Sequence, residues 1–168
     1  MPNGSQGIFL SYRRDDAGVS ASLLRMCLEQ SFPGAQVFRD AESIEPGVNF
    51  RTRIEEAIKS SAVLLALIGP DWLAATDAAG LRRLFDPDDV LAWEIALALR
   101  LGVWVIPVLV QGAPMPQAEE LPEVLRDLAD LQAVALDHRY LDLYQTRVSY
   151  LAVTIERIQL KFARARPC

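Results

Sequence analysis

The chain has 168 residues, 51% of them apolar and 23% charged. That is enough for one ordered globular domain with a full core, and it excludes a disordered chain. The net charge of −5 speaks against a domain built for non-specific nucleic-acid binding, which needs a basic stripe to neutralise phosphates.

Two cysteines, Cys27 and Cys168, are too few for a disulfide framework and lack metal-ligand spacing, so a reducing cytoplasm is the expected compartment. The first residues, Met1-Pro2-Asn3-Gly4, show no signal-peptide pattern. No apolar run approaches the ~20 residues that span a bilayer, so no membrane contact is expected.

Five short apolar runs alternate with segments of helical period. The first is Ile8-Phe9-Leu10-Ser11-Tyr12. A helix over 16–31 follows, with Leu24 and Leu28 four apart, and it stops before Pro33-Gly34. The second run, 36–39, is the weakest. A helix over 50–60 then puts Ile54, Ala57 and Ile58 on one face. The third run, 62–68, and the fourth, 103–110, are continuously apolar, as in parallel strands covered on both faces. Pro107 interrupts the fourth and predicts a late-strand position or a bulge.

Between these two runs lie a long loop over 74–87, long enough to be mobile or functional, and a helix over 88–101 ending at Gly102. A helix over 121–131 opens on Pro122, a fifth run covers 133–136, and a closing helix runs from 140 to about 162. Strands alternating with helices predict an α/β fold with right-handed crossovers. Ligands of such sheets bind beyond the strands' carboxyl ends, here at 12–16, 40–50 and 69–72.

Glu94 is the most informative residue. On a helical wheel Val90, Leu91, Leu97, Ala98 and Leu101 cluster on one side, and Glu94 falls in their midst. A carboxylate there is costly unless it is paired or opens into a cavity; the bland alternative is a Glu satisfied by backbone or by an arginine. Arg13-Arg14 at the end of the first strand can clamp an anion, or can be a solvated turn. Asp15 or Asp16 can cap the next helix. The pair does not make a phospho-accepting receiver site, because Gly69-Pro70 rather than Asp follows the third strand.

The loop 40–50 has turn chemistry in Pro46-Gly47 and carries Ile44, Val48 and Phe50. Trp72 and Trp93 flank the expected site and either stack on a ligand or pack in the core. Trp104 reads as core, Cys27 as inert core and His138 as surface. No G-x-G-x-x-G follows the first strand, and no Walker sequence, G-x-S-x-G or usable Ser–His–Asp set occurs.

In order, these motifs resemble the TIR domain family, particularly its bacterial members. Phe9-Leu10-Ser11-Tyr12-Arg13-Arg14-Asp15-Asp16 is similar to its first box. Val37-Phe38-Arg39-Asp40 through Ile44-Glu45-Pro46-Gly47 to Phe50 is similar to its second strand and BB loop. Val63 to Pro70 with Trp72, Trp93-Glu94-Ile95-Ala96-Leu97-Ala98-Leu99, and Val105-Ile106-Pro107-Val108 resemble the third strand, the glutamate-bearing helix and the fourth strand.

The resemblance implies a TIR domain over 7–160, with 161–168 a tail or the start of a linker. It implies a flavodoxin-like three-layer fold with a five-stranded parallel sheet, strand order 2-1-3-4-5. The implied activity is cleavage of NAD⁺, as substrate and not as cofactor, to nicotinamide and ADP-ribose or a cyclic isomer, in bacterial defence or signalling. Glu94 would be catalytic. Arg13, Arg14, Asp40, Glu45, Gly47 and Phe50 would line or border the NAD⁺ site, with Trp93 or Trp72 as alternative aromatics. The BB loop, residues 40–49, would meet a second copy or another TIR domain.

Some NAD⁺-cleaving members carry an aromatic one turn before the glutamate; here Val90 stands there, which leaves hydrolysis and cyclisation both open. Two further classes stay open at this point: a non-catalytic TIR scaffold or host-mimicking interaction module, and a transferase acting on nucleosides or nucleotides.

Overall fold

The computed structural model describes residues 7–39 and 45–165. Its sheet is five-stranded and parallel, in the order β2-β1-β3-β4-β5. The strands are β1 (Gly7–Ser11), β2 (Val37–Phe38), β3 (Ser61–Ile68), β4 (Trp104–Val110) and β5 (Val134–Leu136). The helices are α1 (Arg14–Ser31), α2 (Phe50–Lys59), α3 (Val90–Leu101) and α4 (Leu141–Arg164). The expected fold class and strand order therefore hold.

Alternation along the strands builds two cores, one on each face. Ile8, Leu10, Val63, Leu65 and Leu67 point to the side covered by α1 and α4, where Leu24, Leu28, Leu151 and Ile155 meet them. Phe9, Leu64, Ala66 and Ile68 point to the other side and pack with Ile54, Ile58, Ile95 and Trp72. All eight residues of β3 are buried, which is why the run 62–68 within it is apolar throughout rather than alternating.

Several expectations need correction. Pro107 is neither late in β4 nor at a bulge: it pairs regularly with Ala66. β5 pairs only with Val108, Leu109 and Val110, so at Pro107 the strand has a neighbour on one side only, where a missing donor is tolerated. The segment expected as an α-helix over 121–131 is a run of 3₁₀ turns, Glu123–Asp130. Its buried Leu121, Leu125 and Leu128 recur at spacings of four and three, which serve either helix type.

Trp104 is not core. It opens β4 beyond the reach of β5, is 46% exposed, and lies under the Lys161 ammonium at 5.2 Å. Cys27 is half-buried against the first core, and burial pushes its thiol pKa up. Among the described residues, no helix is long and apolar enough to cross a membrane.

Candidate functional site

A cavity of about 570 Å³ opens at the carboxyl ends of β1 and β3, within the usual size of a small-molecule site. β1 is the strand at which the order reverses, so this is the crevice that the topology predicts. Tyr12 to Asp16 supply one side, the amino-terminal part of α3 another, and Phe50 the edge nearest the BB loop. The loop 74–87 forms the remaining wall through Ala75, Thr76, Asp77, Arg83 and Asp86.

That loop is ordered by its own backbone. Thr76 bridges Arg82 in antiparallel fashion, and the amide of Arg83 donates to the carbonyl of Ala75 at 2.9 Å. The Asp77 carboxylate accepts from the amides of Ala79 and Leu81 at 2.8 and 3.0 Å.

Glu94 lines the cavity yet is only 2% exposed. The Ser11 hydroxyl, at the end of β1, donates to its Oε2 at 2.7 Å. The Glu94 carboxylate is thus held out of solvent by a hydroxyl at the cavity floor, where burial without a partner would be costly. The apolar face around it differs slightly from the wheel. Ala92 and Ile95 are buried with Leu91, Leu97 and Ala98, whereas Leu101, at the helix end, is 42% exposed.

Arg13 also lines the cavity, but its fork is not open to an anion. It is 6% exposed, and its Nη1 and Nη2 each donate at 3.0 Å to the two carboxylate oxygens of Asp89. Asp89, itself 7% exposed, is the N-cap of α3, and its Oδ2 accepts from the Ala92 amide at 3.1 Å. Arg13 therefore forms a buried bidentate pair rather than the expected clamp. Arg14 lies on the cavity wall with its residue exposed.

Asp16 does not cap α1, whose N-cap is Arg13 with no side-chain bond. Its Oδ1 instead accepts from the Asp71 amide at 2.8 Å, holding the turn after β3. Burial pushes the Asp16 pKa above its ordinary value, and the Asp71 charge adds to this; the Asp71 and Gly69 amides and the Arg13 charge pull it back.

Tyr12 lies on the cavity wall; of Phe50, Trp93 and Trp72, the aromatics expected at the site, Phe50 lines the cavity, and it is 40% exposed. Asn49 starts its helix by accepting from the Thr52 amide at 3.2 Å. Trp93 stands off the cavity lining, with the Arg51 guanidinium over its ring at 5.2 Å. Trp72 is a correction. It is fully buried in the second core and unavailable to stack on a ligand, because the turn 69–72 folds its indole inward. Glu45 and Gly47 form an exposed turn off the lining, with Gly47 at φ +86°. Asp40 lies outside the described residues.

The structure thus brings Glu94, Arg13, Arg14 and Phe50 together, and does not bring in Glu45, Gly47, Trp93 or Trp72. Sequence reading gave no role to Ser11 or Asp89. A Ser two residues before the Arg pair, and an Asp one residue before the glutamate helix in N-cap position, were the available signals. Among the described residues no group of three or more His, Cys, Asp or Glu is placed to hold a metal ion.

Taken together, these features define a flavodoxin-like α/β domain with a carboxylate-floored cavity at the switch point of its sheet. Residues 8–148 match a model of the TIR domain, and the chain belongs to that family. It is 31% identical over 138 residues to the NAD(+) hydrolase sarm1 of Drosophila melanogaster, which covers 80% of this chain but only 9% of the fly protein.

Among solved structures, it resembles the TIR domains of the activated Roq1 resistosome that directly recognizes the pathogen effector XopQ. The TM-score is 0.61 at 15% identity, over 89% of this chain and 98% of that one. It also resembles the TIR domain of the Toll-related receptor TRR-2 from Hydra magnipapillata, with a TM-score of 0.57 at 18% identity, over 89% and 97% of the two chains. At such identities these two likenesses speak for the fold alone.

Proposed function

We propose that this TIR domain is an NAD⁺ glycohydrolase, active on self-association, and that it serves as a cytoplasmic defence or signalling effector. The observation that carries the reading is Glu94, 2% exposed and held by Ser11 at the cavity floor. The similarity to a fly protein named as an NAD(+) hydrolase supports it.

The chemistry suits one carboxylate. The bond between the ribose C1′ and the nicotinamide nitrogen breaks with its electron pair going to that nitrogen. The pyridinium thereby becomes neutral nicotinamide, so no general acid is needed at the leaving group. Ordinary glycosidases need a second carboxyl for that purpose. Glu94 stabilises the positive charge that develops on the ribose, and Phe50 offers its ring to the nicotinamide. Water then adds at C1′ and loses a proton, giving ADP-ribose, or a group of the same molecule closes the cyclic isomer.

Concentrated protein incubated with NAD⁺ should release nicotinamide, and Glu94→Gln should lower that rate at least about 100-fold, as loss of a transition-state charge partner does. Release that persists undiminished in Glu94→Gln refutes the role of Glu94. Specific activity should fall on dilution; a constant value over a hundredfold range refutes the need for self-association. A second reading, a non-catalytic module binding other TIR domains, is favoured by the exposed Val48 and Phe50 beside the turn at Gly47. It predicts no NAD⁺ loss under forced assembly and TIR–TIR binding that weakens on substitution of Pro46 or Gly47.

A further inference from the structure

We propose that Arg13 is a positioning residue: its pair with Asp89 fixes the depth and rotation of α3, and so holds Glu94 against Ser11. The inference rests on Glu94 being the catalytic group of the proposed NAD⁺ cleavage.

The geometry joins two helix starts. Arg13 is the N-cap of α1, and its carbonyl accepts from the amides of Asp16 and Ala17 at 3.2 and 2.8 Å. Asp89 is the N-cap of α3. The guanidinium of the first grips both oxygens of the second at 3.0 Å, with both groups buried. The Nε of Arg83, whose side chain is 46% exposed, stands 3.7 Å from the same carboxylate.

Arg13 and Ser11 are two residues apart at the end of one strand. Asp89 and Glu94 are five apart, little more than one helical turn. The end of β1 therefore touches α3 at two points, Arg13 on Asp89 and Ser11 on Glu94. The apolar face of α3 seats the helix in the second core; these two polar contacts then fix the depth and rotation of its first turns, where Glu94 stands.

Arg13 cannot also grip a phosphate in this arrangement. Both terminal nitrogens are engaged by Asp89. Its Nε, without a hydrogen-bond partner among the described residues, is buried. A planar fork matched to one carboxylate has no second face of donors to offer. Its effect on catalysis runs through the placement of Glu94, where a shift of about 1 Å costs about 100-fold in rate.

Two single variants and one double variant test this. Arg13→Lys keeps the charge but cannot span both oxygens. Asp89→Asn keeps an acceptor for the Ala92 amide but loses the ion pair. Both should lower kcat for nicotinamide release about 10- to 100-fold, with KM for NAD⁺ within about twofold. Both should also move the side-chain carboxyl ¹³C resonance of Glu94, assigned by its loss in Glu94→Gln.

Arg13→Met with Asp89→Asn removes both charges, leaves no lone buried ion, and should recover thermal stability without recovering kcat. Phosphate contact predicts the opposite split: KM raised in Arg13→Lys at unchanged kcat, and lowered in Asp89→Asn, which releases the guanidinium. That split, or a Glu94 resonance unmoved in both single variants, overturns the proposal. If the wild type releases no nicotinamide, the NAD⁺ reading fails, and the resonance alone then decides whether Arg13 positions Glu94.

Discussion

Gly69 is the residue at which a single methyl group should be felt most. A Cβ built there would lie 2.4–2.5 Å from the three carboxyl atoms of Asp16, where contacts under 3.0 Å force something to move. Asp16 cannot retreat at no cost, because its Oδ1 holds the Asp71 amide at 2.8 Å and the residue is 9% exposed. Gly69→Ala should therefore combine overpacking, about 1–3 kcal/mol, with the loss or weakening of a hydrogen bond to a charged acceptor, about 1.5–3 kcal/mol. A net loss of about 2.5–6 kcal/mol follows, or a Tm lower by about 5–24 °C for a domain of this size. The φ of Gly69 lies outside the left-handed region, so the backbone itself accepts alanine. In an Asp16→Ala background the same change should be neutral, or stabilising by about 0.4–1 kcal/mol through the unfolded chain. Urea unfolding of the four proteins gives the cycle directly. A similar loss in both backgrounds would show that the Asp16 carboxylate is not what excludes the methyl group.

The same carboxylate makes a pH prediction. Burial raises the folded-state pKa of Asp16 above its ordinary 3.8, so between those two values the folded state takes up a proton that the unfolded chain does not. The stability of the wild type relative to Asp16→Asn should thus improve as pH falls from 7 toward 3.8; a change in the wild type's disfavour would refute it. Asn49→Ala removes the acceptor for the Thr52 amide and should lower stability by about 1 kcal/mol in urea unfolding. An unchanged midpoint would show that α2 does not rely on this cap to present Phe50.

The sheet was legible because burial on both faces leaves an unmistakable pattern, as the seven apolar residues 62–68 of β3 illustrate. Glu94 was legible for the converse reason: a charge among Leu91, Leu97 and Ala98 breaks a pattern that packing would otherwise complete. The partner of Arg13 was not legible. Asp89 lies 76 residues away in the chain, and no local rule links a strand end to the cap of a distant helix. An exposed arginine pair and a buried one read alike until the fold brings the carboxylate up.

Trp104, expected in the core, and Trp72, expected either on a ligand or in the core, find their places for a similar reason. Trp104 stands in an apolar run but at the first position of β4, beyond the reach of short β5. Trp72 follows a loop-like Gly69-Pro70-Asp71, yet the amide of Trp72 turns back onto the Gly69 carbonyl and tucks the indole inward. Burial at the ends of strands depends on the length of the neighbours, which a single run of residues does not state.

The wall made by residues 74–87 has one more consequence. Its tip is tied to itself, through the Asp77 carboxylate and the Thr76–Arg82 bridge, and it is anchored to the domain by the buried Leu84. The tip can therefore lengthen, shorten or change its side chains while the strands and Glu94 stay where they are. Floor and mouth of the cavity are separable parts: in the proposed NAD⁺ cleavage the first would set which bond reacts, and the second which molecules arrive.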